Sequence, residues 1–155
     1  MPGHTAVLFV CLGNICRSPL AEAAFRKAAE DAGLDLTIDS AGTGHWHVGN
    51  PPDPRAQDTA LKHGIDISHL RARQVERSDF TRFSHIFALD HDNLAALHAR
   101  APADATAEIA LLLDCVKGRE GTAVADPYYG GEELFADTWE DVSLAAAALA
   151  ERFGS

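Results

Sequence analysis

Short apolar runs alternate along the chain with longer segments in which apolar residues recur every three or four positions. Residues 6–10 are apolar without polar alternation, which is typical of a strand covered on both faces of a parallel sheet. Residues 19–32 repeat their apolar positions at helical spacing, opposite charged residues such as Glu22 and Arg26. Gly33 is suited to end that helix. The pattern therefore begins with a strand, a loop and a helix.

The same alternation continues to the end of the chain. Further strands are predicted at residues 36–40, 83–89 and 108–113, and further helices at residues 53–63, 92–99 and 133–152. Residues 42–53, which contain glycines and the Pro51-Pro52 pair, predict a long surface loop. This order predicts an α/β fold with a doubly wound sheet of four parallel strands and helices on both faces. Ligands of such sheets bind beyond the carboxyl ends of the strands, where the loop after residue 10 lies.

Length and composition favour one domain, residues 1–155. A chain of 155 residues buries roughly two thirds of its unfolded surface, which is enough for a self-sufficient core. The sequence contains 46% hydrophobic and 23% charged residues, as in ordinary soluble globular proteins, and it has no repeat or linker. Its apolar stretches are far shorter than the roughly 20 residues of a transmembrane helix, and no secretory signal is recognisable. We therefore expect a cytoplasmic location.

Charge and cysteine content limit which binding partners and which covalent cross-links the sequence predicts. The formal net charge of −10 disfavours binding to nucleic acid or to an anionic membrane, since both attract basic surfaces. Three cysteines argue against a disulfide framework and for reduced thiols. Neither a zinc-ligand pair nor a Walker loop is recognisable, so no metal site is predicted. A phosphate site in so acidic a chain would have to be built from backbone N–H groups and a few arginines.

The loop after the first strand has the composition of such a site. Cys11 and Arg17 are separated by five residues, namely Leu12, Gly13, Asn14, Ile15 and Cys16. A loop of this length that opens a helix can turn its N–H groups towards one oxyanion, which also favours the thiolate of Cys11. The guanidinium of Arg17 matches two phosphate oxygens. Ser18 is predicted to cap the helix, with Pro19 in its first position.

Residues 10–19 closely resemble the phosphate-binding loop of low-molecular-weight protein tyrosine phosphatases. Residues 126–130, Asp-Pro-Tyr-Tyr-Gly, resemble a second signature of that family, and residues 39–42, 49–53 and 68–69 also match its patterns. The resemblance implies the flavodoxin-like fold of that family and a cofactor-free, metal-free hydrolase of phosphotyrosine. Its partners would be phosphotyrosine proteins and, in the loop, phosphate or another oxyanion.

The resemblance also implies residue roles. Cys11 would attack phosphorus to give a phosphocysteine, Arg17 would hold the phosphate and Asp126 would protonate the leaving phenolate. Because Asp126 must be protonated while Cys11 is ionised, we expect activity to be highest on the acidic side of neutral pH. From residue type alone, Asp126 could equally form a turn before Pro127.

Other residues of the resemblance have alternative interpretations. Asn14, Ser18, Ser40 and His69 would brace the loop, although Ser18 could be a simple helix cap and His69 an ordinary surface residue. Trp46, Tyr128 and Tyr129 would line a slot for the substrate's ring, although Trp46 could anchor its own loop instead. Cys16 could form a reversible disulfide with Cys11 or could fill space under the loop. The remaining candidates are expected to be solvated or structural: Asp90, Arg55, Arg71, Arg73 and Arg77.

Two other functions are compatible with the same loop. A thiol-linked arsenate reductase shares the fold but needs two further relay cysteines, and only Cys115 remains, in or just after the fourth strand. A catalytically silent phosphotyrosine-binding module would keep Arg17 but would have no use for Cys11 or Asp126. The sequence therefore favours the phosphatase.

Overall fold

The protein is described by a computed structural model that covers residues 4–154. Its strands are β1 (Ala6–Cys11), β2 (Thr37–Gly42), β3 (His85–Ala88) and β4 (Glu108–Leu111). Its helices are α1 (Arg17–Asp31), α2 (Pro54–Leu61), α3 (Asp79–Arg82), α4 (His91–Arg100) and α5 (Glu132–Gly154), with a 3₁₀ turn at Leu112–Cys115. Residues 1–3 and 155, which the predicted single domain includes, lie outside the described part.

The four strands form one parallel sheet in the order β2-β1-β3-β4. Successive side chains of β1 point to opposite faces, as the period of a strand requires. Val7 and Phe9 join a cluster with α1, α2 and α5, whereas Leu8 and Val10 join a second cluster with α3 and α4. The predicted α/β fold, with helices on both faces of four parallel strands, is confirmed.

Phe9 holds the first cluster together at the middle of the sheet. Its ring meets Phe25 of α1 edge to face at 5.8 Å between centroids and stacks on Phe87 of β3 at 6.1 Å. Aromatic pairs at such separations add stability beyond the area they bury. Packing against α1 and β3 on this face of the sheet therefore fixes the strand that carries Cys11.

Two local predictions were wrong, and one helix was not predicted. Helix α1 begins at Arg17, so Ser18 lies inside the helix and its side chain makes no cap hydrogen bond. The predicted fourth strand ends at Leu111, and residues 112–113 belong to the 3₁₀ turn. The short helix α3 was not predicted, because four residues are too few to show a periodic pattern.

The carboxyl end of β1 meets the end of β2 at very close range. The register pairs Cys11 with Gly42, and a side chain at Gly42 would approach the Leu12 carbonyl oxygen to 2.7 Å. Thr43 and Gly44 donate backbone hydrogen bonds to the carbonyls of Cys11 and Leu12, at 2.9 Å each. A glycine at position 42 thus lets the loop after β1 lie against its neighbour.

Candidate active site

The loop between β1 and α1 holds a buried cysteine at its start and a buried arginine at its end. Cys11 is the last residue of β1 and Arg17 the first of α1, and each is 3% exposed. Asn14, between them, has φ +58°, and it is the one non-glycine with positive φ among residues 4–154. Asparagine tolerates this left-handed angle better than most side chains, which lets the loop curl.

Asn14 is fixed by three hydrogen bonds. Its Nδ2 donates to the hydroxyls of Ser18 at 2.8 Å and Ser40 at 3.0 Å, and its Oδ1 accepts from the backbone N–H of Arg73 at 3.0 Å. The structure therefore brings Asn14, Ser18 and Ser40 together behind the loop, in the arrangement that the sequence suggested.

Ser18 links this network to the sulfur of Cys11. Its hydroxyl oxygen lies 3.0 Å from Sγ of Cys11. Because that oxygen already accepts from Asn14, the hydroxyl proton is free to point at the sulfur. The arrangement directs a hydrogen-bond donor at a thiolate, which stabilises the charged form of a nucleophile.

Glu22 ends the network and was not predicted. The hydroxyl of Ser40 donates to Glu22 Oε1 at 2.7 Å, and Arg26 Nε donates to Oε2 at 2.9 Å. Helical spacing suggested a charged outer face, yet Glu22 is 2% exposed. Its burial raises the pKa of Glu22, although the hydrogen bonds from Ser40 and Arg26 oppose that rise.

His69 does not join the loop in this structure. Its side chain is exposed and lines a different cavity, together with Glu22 and Arg26. No hydrogen bond among the described residues connects His69 to the loop, where Arg73 and Glu22 complete the network instead. Close by, the hydrogen bonds of Ser68 lower the pKa of Asp66.

The guanidinium of Arg17 is held by groups from two other segments. Nη1 donates to Asp90 Oδ2 at 2.8 Å and to the carbonyl of Val124 at 2.9 Å. Burial disfavours the charged form, but the sulfur of Cys11 and the carboxylate of Asp90 outweigh burial and raise the pKa of Arg17. The cation is therefore permanent and oriented.

Asp90 is thus a site residue that sequence reasoning treated as solvated or structural. It follows the end of β3 after Leu89, and its Oδ1 also accepts from the N–H of Asn93 at the start of α4. The carboxyl ends of parallel strands meet at one edge, so an acidic residue just after β3 was a signal for proximity to the loop after β1.

Asp126 lies at the opening of the site. Its Oδ2 is 3.6 Å from Nη2 of Arg17, and its side chain is 45% exposed. Its other oxygen accepts from the N–H of Tyr128 at 3.1 Å, which is the turn that the Asp-Pro sequence suggested. Both interpretations of Asp126 from sequence are compatible with this position, because a turn-forming carboxylate also faces the loop.

A cleft of about 210 Å³ lies above the loop. It is lined by the loop residues Cys11, Leu12, Gly13, Ile15, Cys16 and Arg17, and by Trp46, His47, Asp126, Tyr128 and Tyr129. Every residue predicted to contact substrate therefore lines one cleft, except Asn14 and Ser18, which lie behind the loop. His47, which had no predicted role, lies against Gly13, where an added side chain would meet its ring at 3.0 Å.

The aromatic residues of the cleft are largely open to solvent. Trp46 is 64% exposed and stacks on His45 at 5.6 Å between ring centroids. Tyr128 and Tyr129 meet edge to face at 4.9 Å, with Tyr129 96% exposed. The ring of Trp46 lies against Gly44 and His45 of its own loop and also lines the cleft, so both interpretations of Trp46 are compatible with its position.

The other two cysteines have different surroundings. Cys16 is buried in the cleft wall, and its burial raises the pKa of that thiol far above its usual range. Cys115 is half-buried in the 3₁₀ turn, where its Sγ donates to the carbonyl of Leu112 and burial raises its pKa to about 11. Cys115 does not line the cleft, so the structure offers no cysteine relay of the arsenate-reductase kind among the described residues.

Neither a metal centre nor a membrane span is found in the described part of the chain. Residues 4–154 contain no group of three His, Cys, Asp or Glu side chains that could hold a metal ion. Within the same residues, no helix is long and apolar enough to cross a bilayer.

Comparison with known proteins identifies the family. The family model described as low molecular weight phosphotyrosine protein phosphatase matches residues 6–154, and the chain belongs to that family. A Schizosaccharomyces pombe protein of the same name is 48% identical over 142 residues, which cover 90% of each chain. The Bacillus subtilis low molecular weight protein-tyrosine-phosphatase YfkJ is 46% identical over 81% of this chain and 82% of its own.

A solved structure supports the same conclusion. The protein tyrosine phosphatase of Entamoeba histolytica, crystallised with Hepes in the active site, superposes with a TM-score of 0.90 at 37% identity, covering 96% of each chain. Hepes carries a sulfonate, so a relative of this chain accepts an oxyanion in its active site.

Proposed function

We propose that this protein is a protein tyrosine phosphatase that hydrolyses phosphotyrosine and small aryl phosphates through a phosphocysteine intermediate. The proposal rests on the observation that Cys11, Arg17 and Asp126 line the same cleft. Within it, the guanidinium of Arg17 lies 3.6 Å from the carboxylate of Asp126. Family membership supports the same reaction.

The first half-reaction transfers the phosphoryl group to sulfur. The thiolate of Cys11 forms a bond to phosphorus while the bond from phosphorus to the phenolic oxygen breaks. Protonated Asp126 delivers its proton to that oxygen, so that phenol rather than phenolate leaves. The N–H groups of the loop and the planar fork of Arg17 hold the equatorial oxygens as charge shifts onto them.

The second half-reaction releases phosphate. Asp126, now a carboxylate, accepts a proton from water as the water oxygen attacks phosphorus and the sulfur leaves as thiolate. The Ser18 hydroxyl, 3.0 Å from Sγ, stabilises the thiolate as attacking group and as leaving group. Because Asp126 must be protonated and Cys11 ionised when the reaction starts, we still expect activity to be highest on the acidic side of neutral pH.

The aromatic walls of the cleft support selectivity for phosphotyrosine over phosphoserine. Trp46, Tyr128 and Tyr129 present aromatic rings at the opening, and Cys11 lies buried beneath them. A phenyl phosphate can pass between such rings and reach the loop, whereas the short side chain of phosphoserine would leave its phosphate outside. Phosphotyrosine proteins are therefore the proposed partners, with a cytoplasmic location that suits the reduced thiols.

The test compares two phosphopeptides with wild type and Cys11→Ser. We expect turnover of the phosphotyrosine peptide but not of its phosphoserine counterpart, in chelator and reductant, and loss of turnover in the variant. Serine is a far weaker nucleophile than a thiolate, but it preserves the shape of the site. A wild type that binds the phosphotyrosine peptide without turnover would instead identify the silent binding module.

A further inference from the structure

The segment that carries Asp126 is attached to the body of the protein at both ends. At its start, the N–H of Val124 donates to the carbonyl of Leu89 at 2.8 Å, and the carbonyl of Val124 accepts from Arg17. Between this end and α5 lies residue 126, whose side chain is 45% exposed. Packing alone therefore does not fix its carboxylate.

Arg55 makes the attachment at the other end. Its Nη1 donates to the carbonyl of Gly130 at 3.1 Å. Its guanidinium carbon also lies 5.5 Å from the ring centre of Tyr128 and 4.8 Å from that of Phe135. Tyr128 in turn donates its N–H to Asp126, so Arg55 touches the residue that holds the carboxylate.

Arg55 is itself fixed to the phosphate-binding loop through Asp53. The Nε and Nη2 of Arg55 bind the two oxygens of Asp53 at 3.0 Å each. These hydrogen bonds lower the pKa of Asp53, so the carboxylate stays charged. The backbone N–H of Asp53 donates to the carbonyl of Ile15 at 2.8 Å. A short chain of contacts therefore runs from Ile15 through Asp53 and Arg55 to Gly130.

We propose that Arg55 is a positioning residue that sets the distance between the general acid Asp126 and the loop of Cys11. The inference rests on the acid role proposed above for Asp126. Only a planar fork can bind both oxygens of Asp53 and still reach Gly130, because its donors point in fixed directions. An ion pair such as Arg55–Asp53 would contribute little on an ordinary surface, but here it orients a guanidinium that also binds Gly130, so Arg55 links the two segments that must cooperate.

The test uses leaving groups that differ in their need for a proton. Phenyl phosphate needs the acid, since phenolate is a poor leaving group, whereas dinitrophenyl phosphate releases a stable anion. In Arg55→Met, which keeps the unbranched stem, we expect kcat/KM to fall roughly tenfold for phenyl phosphate and less than about twofold for dinitrophenyl phosphate. Arg55→Lys, which keeps the charge without the fork, should lie between wild type and Arg55→Met for phenyl phosphate.

This readout separates positioning from simpler roles. If Arg55 only supports Tyr128 as a wall, or only stabilises the fold, both aryl phosphates lose kcat/KM equally, and the positioning role is overturned. An unchanged phenyl phosphate rate in Arg55→Met overturns it as well. Arg119→Met is the matched control, because the side chain of Arg119 also pairs with an aspartate, Asp141, but does not bind the segment that carries Asp126. It should leave both rates unchanged.

A second variant separates this inference from the proposed function. Asp126→Asn should lose far more activity on phenyl phosphate than on dinitrophenyl phosphate. If it does so while Arg55→Met does not, the acid assignment stands and the positioning role fails. If Asp126→Asn shows no dependence on the leaving group, the acid assignment fails, and the role of Arg55 falls with it.

Discussion

Asn14 combines a strained backbone angle with the full use of its side-chain amide. Its φ of +58° curls the loop, and its amide binds Ser18, Ser40 and the N–H of Arg73. Strain of this kind persists where surrounding contacts over-determine the conformation. Both properties follow from one residue type, since few other side chains combine them.

Two substitutions at this position separate the two properties. Asn14→Gly accepts the positive φ but loses all three hydrogen bonds, so we expect kcat/KM for a phosphotyrosine peptide to fall about tenfold or more. Asn14→Ala loses the same bonds and adds about 1–2 kcal/mol of strain, so it should unfold more easily than Asn14→Gly in urea. Equal stability of the two variants would show that the angle costs nothing, and full activity of Asn14→Gly would show that the bonds do not brace the loop.

Sequence reasoning predicted the contiguous residues of the site from their types, reached Ser40, Asp126 and the aromatic residues of the cleft only through the family resemblance, and missed others that come from distant segments. Cys11, Arg17 and the residues between them form one motif, so their types alone indicated an oxyanion site. Asp90, Glu22 and the N–H of Arg73 meet that motif only through folding. For Ser18 the residue type predicts a helix cap and the resemblance predicts a brace of the loop, because residue type alone cannot show that its hydroxyl accepts from Asn14 and lies at the sulfur of Cys11.

At the scale of elements, helix α3 shows how a charge cluster fixes a segment that has no pattern of its own. Asp79, its first residue, is fully buried and accepts from Arg73 Nη1 at 2.9 Å and from Arg82 Nη2 at 2.8 Å. The N–H of Glu76 donates to the same carboxylate at 2.7 Å. Arg73 also braces Asn14 through its backbone, so this cluster connects α3 to the site.

Asp79→Asn should destabilise the protein by about 3 kcal/mol, since removing one partner of a buried ion pair leaves the others uncompensated. Burial opposes the charged form, but the hydrogen bonds from Arg73 and Glu76 prevail and lower the pKa of Asp79. A lowered native pKa gives stability that is present above the unfolded value of about 3.8 and is lost as pH falls through the native value. The difference between wild type and variant should therefore shrink below about pH 4.

Urea unfolding at several pH values measures this difference. Asp35→Asn is the control, because Asp35 is exposed, and it should leave the free energy of unfolding nearly unchanged. A variant as stable as wild type at pH 7 would mean that the buried charge cluster does not stabilise α3.

At the scale of the whole molecule, one strand joins the two halves of the core. β1 lies inside the sheet and contributes Phe9 to the cluster under α1 and α5 and Leu8 to the cluster under α4. Alternation of helical and strand patterns sufficed to predict this architecture, because each layer must bury an apolar face. That residues 4–154 unfold as one unit stays a prediction, and it follows from the shared strand.

Leu97→Ala, on one face of the sheet, tests whether the protein unfolds as one unit. Leu97 is fully buried in α4, so its truncation should lower the free energy of unfolding by about 2–5 kcal/mol. Trp139 of α5 packs against the opposite cluster and stacks on His63. If the core is continuous, fluorescence of Trp139 in a Trp46→Phe background should report the lowered midpoint in urea, coincident with far-ultraviolet circular dichroism. Leu144→Ala, at a half-exposed position, should leave the urea midpoint of unfolding nearly unchanged. Fluorescence that keeps its wild-type midpoint while circular dichroism shifts would divide the protein into two units along β1.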